Sequence, residues 1–347
     1  MTQKSGAALL KPIFGVRGDG RFQIESLMSL KLEPTPESNS QVFFEIYNNL
    51  VTAQPNYITT INTALGQSIV PIVALSADGA TMKCLGTGFF ISADGLLLTA
   101  AHVILDPIER QYGAPRKLSE GGWTFDELSL GVLIATNPIL EGRGWAFQPI
   151  LWASFLANET ESPFPAGKSE LKLTSDTAIC RVRRGRDQIH QPLSMIQSGI
   201  RGVGLLPGKR AMCIGYSGMT DLQIDPKTRT IENPIPFKLH VSLGTVIEQF
   251  PDNGVKRDVR TPGACFSASL TLPPGMSGSP IFDDEMIYTH GVASSGLEDE
   301  NGPTNFGYGS MIKYSLAIPI RFLNNMTLQE VLNSSSSGIV NLSIPDA

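Results

Sequence analysis

Residues 86–102 read GTGFFISADGLLLTAAH and hold two apolar runs on either side of the small polar turn SADG. Runs of aromatic and aliphatic residues that are separated by such a turn are typical of a β-hairpin. The stretch therefore predicts one strand over residues 86–91, a second strand over 96–99, and a histidine, His102, just after the second strand.

The same alternation of short apolar runs and turns extends from residue 68 to about residue 320. The 34 glycines and 24 prolines supply many turns and favour a chain rich in β-structure. Short strands in series indicate an all-β sandwich or barrel. The other predicted strands are residues 68–75, 177–182, 211–216, 238–247, 280–282, 289–293 and 315–320. Further strands, with large loops between them, are expected between His102 and Asp176.

The two ends of the chain have a different pattern. Residues 1–67 form a predicted extension, with a linker rich in proline and serine over 33–40. Apolar residues recur at helical spacing over 41–53, and a second short helix is expected over 58–65. At the other end, residues 323–347 predict one short helix from Leu328 and then a flexible, serine-rich tail.

Composition excludes several classes of protein. The chain has 347 residues, of which 41% are hydrophobic and 17% charged, with a net charge of −5. This balance is that of an ordinary globular protein and favours neither nucleic acid nor a membrane surface as a partner. The sequence shows no signal peptide and no apolar run long enough to span a bilayer, so we expect a cytoplasmic protein. Its four scattered cysteines predict reduced thiols, and the sequence predicts neither a metal site nor a cofactor.

A candidate nucleophile lies in the stretch LPPGMSGSPIF, residues 272–282. Ser277 stands between two glycines that tolerate positive φ, and a turn of this kind can aim backbone N–H groups at one point. The alternative is a simple Gly/Ser/Pro turn between two strands. A serine is inert without a base, so the interpretation depends on finding one elsewhere in the chain.

Two further residues complete a set with Ser277. His102 follows an apolar strand and the small residues Ala100 and Ala101, which leave room for an imidazole. Asp176 opens an apolar strand, where a buried carboxylate is costly unless it is paired, for example with the Nδ1–H of a histidine. Taken singly, each has a structural alternative: a lone histidine in the core, or an aspartate that faces solvent at the start of a strand.

These three motifs, in the order His, Asp, Ser, resemble the trypsin-like serine peptidases of the chymotrypsin fold. The likeness is closer to the bacterial HtrA-like and glutamyl-endopeptidase-like branches than to the digestive enzymes, and no PDZ-like domain follows. The resemblance implies two antiparallel six-stranded β-barrels over residues 68–322, which meet near 190–205. His102 and Asp176 would belong to the first barrel, and Ser277 to the second.

The resemblance also implies a role for each residue. His102 would be the general base and Asp176 its orienting acid, with Ser277 as the nucleophile. The backbone N–H groups of Gly275 and Ser277 would form the oxyanion hole. Substrate-binding positions would be Thr271 at the base of the S1 pocket and Ser294, Ser295 and Gly296 along its wall. This uncharged pocket predicts cleavage after small or medium uncharged residues.

The predicted function is thus a serine endopeptidase that acts on protein or peptide substrates and is regulated inside the cell. Met276 stands where the digestive enzymes carry an aspartate, so activation by an N-terminal ion pair is not expected. The extension 1–67 is a candidate site for a regulatory protein partner. Two alternatives use the same fold: a catalytically idle binding module and an esterase-type acyl hydrolase.

Overall fold

In the computed structural model of the protein, the described residues begin with two short strand segments and become nearly continuous from residue 261. They are residues 12–14, 16–17, 68–76, 78–92, 95–109, 115–117, 123–125, 128–135, 145–161, 169–182, 199–218, 220–223, 238–251, 261–300, 302–320 and 323–334. The helices predicted over 41–53 and 58–65 lie outside these residues. None of the helices in the described ranges is long and apolar enough to cross a bilayer.

Most of the described residues form strands. In the first part of the chain the strands are β1 Pro12–Phe14, β2 Val16–Arg17, β3 Ile69–Ser76, β4 Thr81–Phe90, β5 Leu96–Thr99, β6 Pro115–Lys117, β7 Trp123–Phe125, β8 Leu128–Ala135, β9 Trp145–Glu161 and β10 Ser169–Val182. In the second part they are β11 Gly199–Ile200, β12 Arg210–Ser217, β13 Leu222–Gln223, β14 Lys238–Phe250, β15 Cys265–Ala268, β16 Pro280–Asp283, β17 Tyr288–Asp299, β18 Gly302–Met311, β19 Pro319–Ile320 and β20 Met326–Thr327. The helices are α1 Ala101–Glu109, a 3₁₀ helix Ile312–Ala317, and α2 Leu328–Ser334.

Six strands of the first part close into a ring. Their order is β9, β10, β5, β4, β3 and β8, and the pairing of β8 with β9 completes the circle. All six pairings are antiparallel. The inside is filled by large side chains that are fully buried, among them Ile72, Phe89, Leu97 and Phe155. This ring is the first of the two predicted barrels.

A second ring of six follows in the order β17, β16, β12, β14, β15 and β18, and the pairing of β17 with β18 closes it. Its core includes Phe266, Met276 and Ile281, all fully buried. The short strand β11 joins β17 from outside the ring in parallel. The predicted all-β fold with two six-stranded antiparallel barrels is therefore confirmed.

Short strands add to the rings at their edges. Strand β1, from within the predicted extension, pairs with β9, and β13, from the second part of the chain, pairs with β4. Strand β2 pairs with β7 in a separate three-stranded sheet. Described segments of the extension are thus strands that lie against the first barrel. The predicted C-terminal helix is α2.

One predicted strand is wrong, and two strands of the second ring, β15 and β18, were not predicted. Residues 315–320 were expected to be a strand, but Ile312–Ala317 form a 3₁₀ helix and only Pro319–Ile320 extend. Residues three apart share one face of a 3₁₀ helix, and Ile312 and Ser315 are both fully buried there. In β18, the alternating residues Gly307 and Gly309 hide a strand pattern. Close packing explains these glycines: a Cβ on Gly309 would lie 2.6 Å from Ile281 Cδ1.

The four cysteines are free thiols, three of them buried. Burial raises the pKa of Cys265 to about 11, and burial together with the charge of Asp221 raises that of Cys84 to about 12. Burial also raises the pKa values of Cys180 and Cys213. The reactive thiolate is therefore scarce at neutral pH in the folded protein.

We expect the native protein to resist alkylation by iodoacetamide at pH 7.5, and the denatured, unreduced protein to take up four groups. Intact-mass spectrometry measures both numbers, and Cys84→Ser is the matched control for the most accessible thiol. A thiol of the native protein that reacts as fast as one in the unfolded chain would contradict this prediction.

Candidate active site

His102 and Asp176 are brought together by the pairing of β5 with β10. Ala178 lies opposite Thr99 in this pairing, so Asp176 lies beside the chain just beyond the end of β5. There the chain turns from β5 into α1, through the fully buried Ala100 and Ala101. The register between β10 and β9 shifts between Leu173 and Ala178, so Asp176 lies in an irregular part of β10.

One carboxylate holds both the ring and the backbone of His102. The ring Nδ1 lies 2.8 Å from Oδ2 and 3.0 Å from Oδ1 of Asp176. The backbone N–H of His102, in the first turn of α1, donates to Oδ1 at 3.0 Å. A carboxylate at this position satisfies an N–H that the helix itself leaves unpaired. The carboxylate acts as an acceptor, so Nδ1 carries a proton and Nε2 is the basic nitrogen of the neutral ring.

The electrostatics of the pair follow from its burial. The side chain of Asp176 is 3% exposed, whereas that of His102 is 34% exposed and open to solvent. Burial by itself raises the pKa of the Asp176 carboxyl, but the charge and hydrogen bonds of His102 and the hydrogen bond from Ser294 outweigh it. The pKa is therefore lower than usual, and the carboxylate stays ionised at neutral pH.

Ser294 connects this pair to Ser277. Its hydroxyl donates to Oδ2 of Asp176 at 2.5 Å, and its backbone carbonyl accepts the hydroxyl of Ser277 at 3.2 Å. The hydroxyl of Thr261 lies 3.1 Å from that of Ser294. Because Ser294 gives its only hydroxyl proton to the carboxylate, Thr261 must be the donor to Ser294. Hydrogen bonds thus join His102, Asp176, Ser294 and Ser277 in one continuous chain.

The turn that carries Ser277 is tightly bent. Gly275 has φ of 97° and Gly278 has φ of 91°, a backbone region that residues with a side chain rarely adopt. A Cβ on Gly278 would also lie 1.9 Å from the carbonyl oxygen of Thr87 on β4. Within the described part of the chain, the backbone N–H groups of Gly275 and Ser277 have no hydrogen-bond acceptor. Two unpaired N–H groups that lie two residues apart, beside a hydroxyl, are what an oxyanion hole requires.

The residues predicted to bind substrate lie along this turn and β17. The hydroxyl of Ser294 is directed at Asp176, so its backbone, not its side chain, faces Ser277. Ser295 and Gly296 follow it on β17 and pair with Tyr308 and Gly307 of β18. The N–H of Thr271, which is half-buried, donates to the hydroxyl of Ser242 at 2.8 Å. No described strand pairs with residues 294–296 on the side away from β18.

Leu272 lies beside Thr271 but is not one of the predicted substrate-binding positions. Gly296 and Gly307 lie opposite one another on β17 and β18. A Cβ on Gly296 would lie 2.4 Å from the carbonyl oxygen of Leu272, and a Cβ on Gly307 would lie 2.5 Å from its Cδ1. Both distances are collisions. Leu272 is 6% exposed and fills the space that these glycines leave open. The alternation of Leu270, Thr271 and Leu272 could have indicated that both leucines point inward.

His290, the other histidine near this region of the sequence, is almost fully buried. Its Nδ1 lies 2.9 Å from the carbonyl oxygen of Val203, and its Nε2 lies 3.9 Å from Asp283. These contacts keep it within the second barrel. In the described ranges, no three His, Cys, Asp or Glu side chains are grouped so that they could hold a metal ion.

A family model for the trypsin-like peptidase domain matches residues 86–286. No curated protein sequence matches significantly. Among solved structures, the chain is similar to the active form of the Rv3671c protease from M. tuberculosis, with 16% identity, a TM-score of 0.38, and coverage of 88% of this chain and 87% of that one. It is also similar to the HtrA-type protease AlgW with a decapeptide, at 15% identity, TM-score 0.41, and coverage of 74% and 64%. The protease domain of MamO from Magnetospirillum magneticum has 12% identity, TM-score 0.40, and coverage of 73% and 95%. These likenesses are loose, and assignment to a family depends on the family model.

Proposed function

The chain belongs to the trypsin-like peptidase family, and from this membership we propose that it is a serine endopeptidase with His102, Asp176 and Ser277 as its catalytic triad. The observation that carries the proposal is the hydrogen-bonded chain from the ring of His102 through Asp176 and Ser294 to the hydroxyl of Ser277. This chain connects the side chains that we assign as base, orienting acid and nucleophile, and it links residues of both barrels.

The first half of the reaction forms an acyl-enzyme. Nε2 of His102 takes the proton of Ser277 while Oγ attacks the carbonyl carbon of the scissile peptide. The carbonyl π electrons move to oxygen, and the N–H groups of Gly275 and Ser277 stabilise the resulting oxyanion. As the oxyanion collapses, the C–N bond breaks, and the leaving amine receives the proton from His102. Asp176 stays ionised and stabilises the imidazolium throughout.

The second half releases the product. A water molecule gives its proton to Nε2 of His102 and attacks the acyl carbon, and the same two N–H groups stabilise the second tetrahedral intermediate. Collapse of this intermediate breaks the bond to Oγ of Ser277, which recovers its proton from His102. The enzyme is restored and the acyl half of the substrate leaves as a carboxylic acid.

The substrate would bind as an added strand along residues 294–296 of β17, whose edge is open among the described strands. The carbonyl of Ser294 accepts the hydroxyl of Ser277 in the unliganded protein, at a long 3.2 Å. A substrate N–H that donates to this carbonyl would compete with the hydroxyl and release it towards His102. Regulation through residues 1–67 stays a prediction.

The proposal is tested by labelling with a fluorophosphonate and by cleavage of a peptide library, with Ser277→Ala as the blank. Labelling of Ser277 together with library cleavage supports an endopeptidase. Labelling with hydrolysis of esters but not of peptides would favour an acyl hydrolase. A protein that is neither labelled nor active would be the idle fold.

Leu272 makes a specific prediction about the residue before the cleaved bond. Because it fills the space beside Gly296 and Gly307, the pocket should accept small side chains best. We expect Leu272→Ala to raise kcat/KM for substrates with Leu at P1, relative to Ala at P1, by about 10- to 100-fold. Library profiles of the two proteins measure this ratio.

Leu270→Ala is the matched control, because Leu270 is also buried and lies two residues away. Both variants should lose about 2–5 kcal/mol of unfolding free energy, but only Leu272→Ala should change the P1 preference. An unchanged profile in Leu272→Ala would place the pocket elsewhere.

A further inference from the structure

The carbonyl groups of residues 273–277, in the turn that carries Ser277, each accept a hydrogen bond. Those within the turn bind its own amides: Pro273 accepts from Met276 at 3.1 Å, and Met276 accepts from Ser279 at 3.0 Å. The carbonyl of Pro274 accepts the N–H of Gly218 at 3.3 Å. The other two carbonyl groups are those of Gly275 and Ser277, the residues on either side of Met276. Both accept hydrogen bonds from one residue of the first barrel.

That residue is Thr87, which lies on β4 and is fully buried. Its hydroxyl donates to the carbonyl of Gly275 at 2.8 Å, and its backbone N–H donates to the carbonyl of Ser277, also at 2.8 Å. It thus holds the turn at both ends of the segment that would form the oxyanion hole.

The direction of the hydroxyl bond is fixed. The N–H of Tyr216, on β12 of the second barrel, donates to Oγ1 of Thr87 at 3.0 Å. Because this N–H uses a lone pair of the hydroxyl, the single proton is left for an acceptor, and the carbonyl of Gly275 can only accept. Thr87 itself is held by Thr99, whose hydroxyl donates to the carbonyl of Thr87 at 2.7 Å.

The bonds of the Pro274 and Met276 carbonyls determine where the unpaired N–H groups of Gly275 and Ser277 point, and the bonds of Thr87 hold the peptide that follows each of them. In a planar trans peptide, C=O and N–H point in opposite directions. With the carbonyl of Pro274 bound to Gly218, the N–H of Gly275 points away from Gly218. With the carbonyl of Met276 bound to Ser279, the N–H of Ser277 likewise points away from Ser279. If the carbonyl groups of the turn lost their hydrogen bonds, the Pro274–Gly275 and Met276–Ser277 peptides could rotate. A rotated peptide would present its carbonyl oxygen, and not its N–H, to the oxyanion.

We propose that Thr87 is a positioning residue for the oxyanion hole, through which the first barrel holds the turn of the second barrel in its anion-binding conformation. Met276, fully buried in the second core, anchors the turn by packing and has no charge to pair. The hydroxyl and the backbone N–H of Thr87 supply the hydrogen bonds from the first barrel to this turn, so the proposed oxyanion hole depends on contact between the two barrels. This inference rests on the proposed function for its effect on turnover, but not for its effect on the turn.

Thr87→Val removes the hydroxyl and keeps the shape of the side chain, and Thr87→Ser keeps the hydroxyl. Removal of one hydrogen-bond donor from an oxyanion hole lowers kcat by about 10²- to 10³-fold. Thr87→Val leaves both N–H donors in place and only loosens their positions, so its effect on kcat should be smaller. We expect kcat to fall at least about 10-fold in Thr87→Val with KM changed less than about threefold, and Thr87→Ser to stay within about threefold of wild type. If Thr87 only stabilised the fold, Thr87→Val would lower the melting temperature but would not lower kcat selectively at a nearly unchanged KM.

A second measurement does not depend on turnover. Hydrogen exchange of a peptide covering residues 272–282 reports the hydrogen-bonded amides of Met276 and Ser279. Exchange should be faster in Thr87→Val than in wild type and unchanged in Thr87→Ser.

Wild-type kcat or wild-type exchange in Thr87→Val would overturn the proposal. So would equal defects in both variants, because packing and not the hydroxyl would then hold the turn. If the wild-type protein cleaves no peptide, the proposed function fails, and the exchange comparison still decides the role of Thr87.

Discussion

Replacing Ser277 with alanine should lower kcat by about 10⁴- to 10⁶-fold, because it removes the proposed nucleophile that forms the acyl-enzyme. The fold should remain intact. The hydroxyl is half-buried and makes one long hydrogen bond, to the carbonyl of Ser294. Loss of such a bond costs about 1 kcal/mol, so the melting temperature should move by only a few degrees. Steady-state hydrolysis of a library-derived peptide and thermal unfolding measure the two effects.

His102→Ala should be about as severe, and the double variant no worse than either single one, since base and nucleophile act as a unit. Effects that multiply in the double variant would mean that the two side chains act independently and would contradict the triad. Residual hydrolysis above the uncatalysed rate is expected in all three, because the proposed oxyanion hole is left intact by these substitutions.

Asp176→Asn should lower kcat by about 10⁴-fold through the tautomer of His102. The backbone N–H of His102 donates to Oδ1, so the amide oxygen of Asn must take that position. The amide NH₂ then takes the position of Oδ2 and faces Nδ1. Nδ1 becomes an acceptor, Nε2 carries the proton, and the ring cannot accept the proton of Ser277. Steady-state kinetics at neutral pH measure the loss.

Ser294→Ala is the matched control for this effect. It removes one donor to the same carboxylate but leaves Nδ1 facing an acceptor, so the tautomer is kept. A hydrogen bond to a charged group contributes about 1.5–3 kcal/mol, which corresponds to a loss of roughly 10- to 100-fold. An Asp176→Asn variant that is no worse than Ser294→Ala would show that another acid orients the histidine.

The same carboxylate makes stability depend on pH. Its pKa is lower in the folded protein than in the unfolded chain, where it is about 3.9. The ionised form therefore stabilises the fold at all pH values well above 4, and this contribution is lost as the pH falls towards the folded pKa. The difference in unfolding free energy between wild type and Asp176→Asn should accordingly be largest at neutral pH and shrink in acid.

The hairpin of residues 86–102 could be predicted because its signals are local. Its strands alternate with turn residues, and β5 begins and ends where the pattern placed it. The strand predicted over 315–320 failed because Ile312 and Ser315 are buried by contacts with distant parts of the chain. Ser315, for example, donates to the hydroxyl of Thr177. Strand β18 was missed because its glycines carry no strand propensity and are required by neighbours such as Phe266 and Leu272.

The sequence by itself determined the fold class and the identity of the three candidate catalytic residues, because turn glycines, apolar runs and a histidine after two alanines are properties of short segments. Only the tertiary structure decided how these residues are held. The hydroxyl of Ser294 faces Asp176, Leu272 fills the space beside Gly296, and Thr87 holds the turn of Ser277 from 190 positions away in the sequence. Such contacts depend on the register of strands and on the docking of two barrels, and no local pattern of residues encodes either.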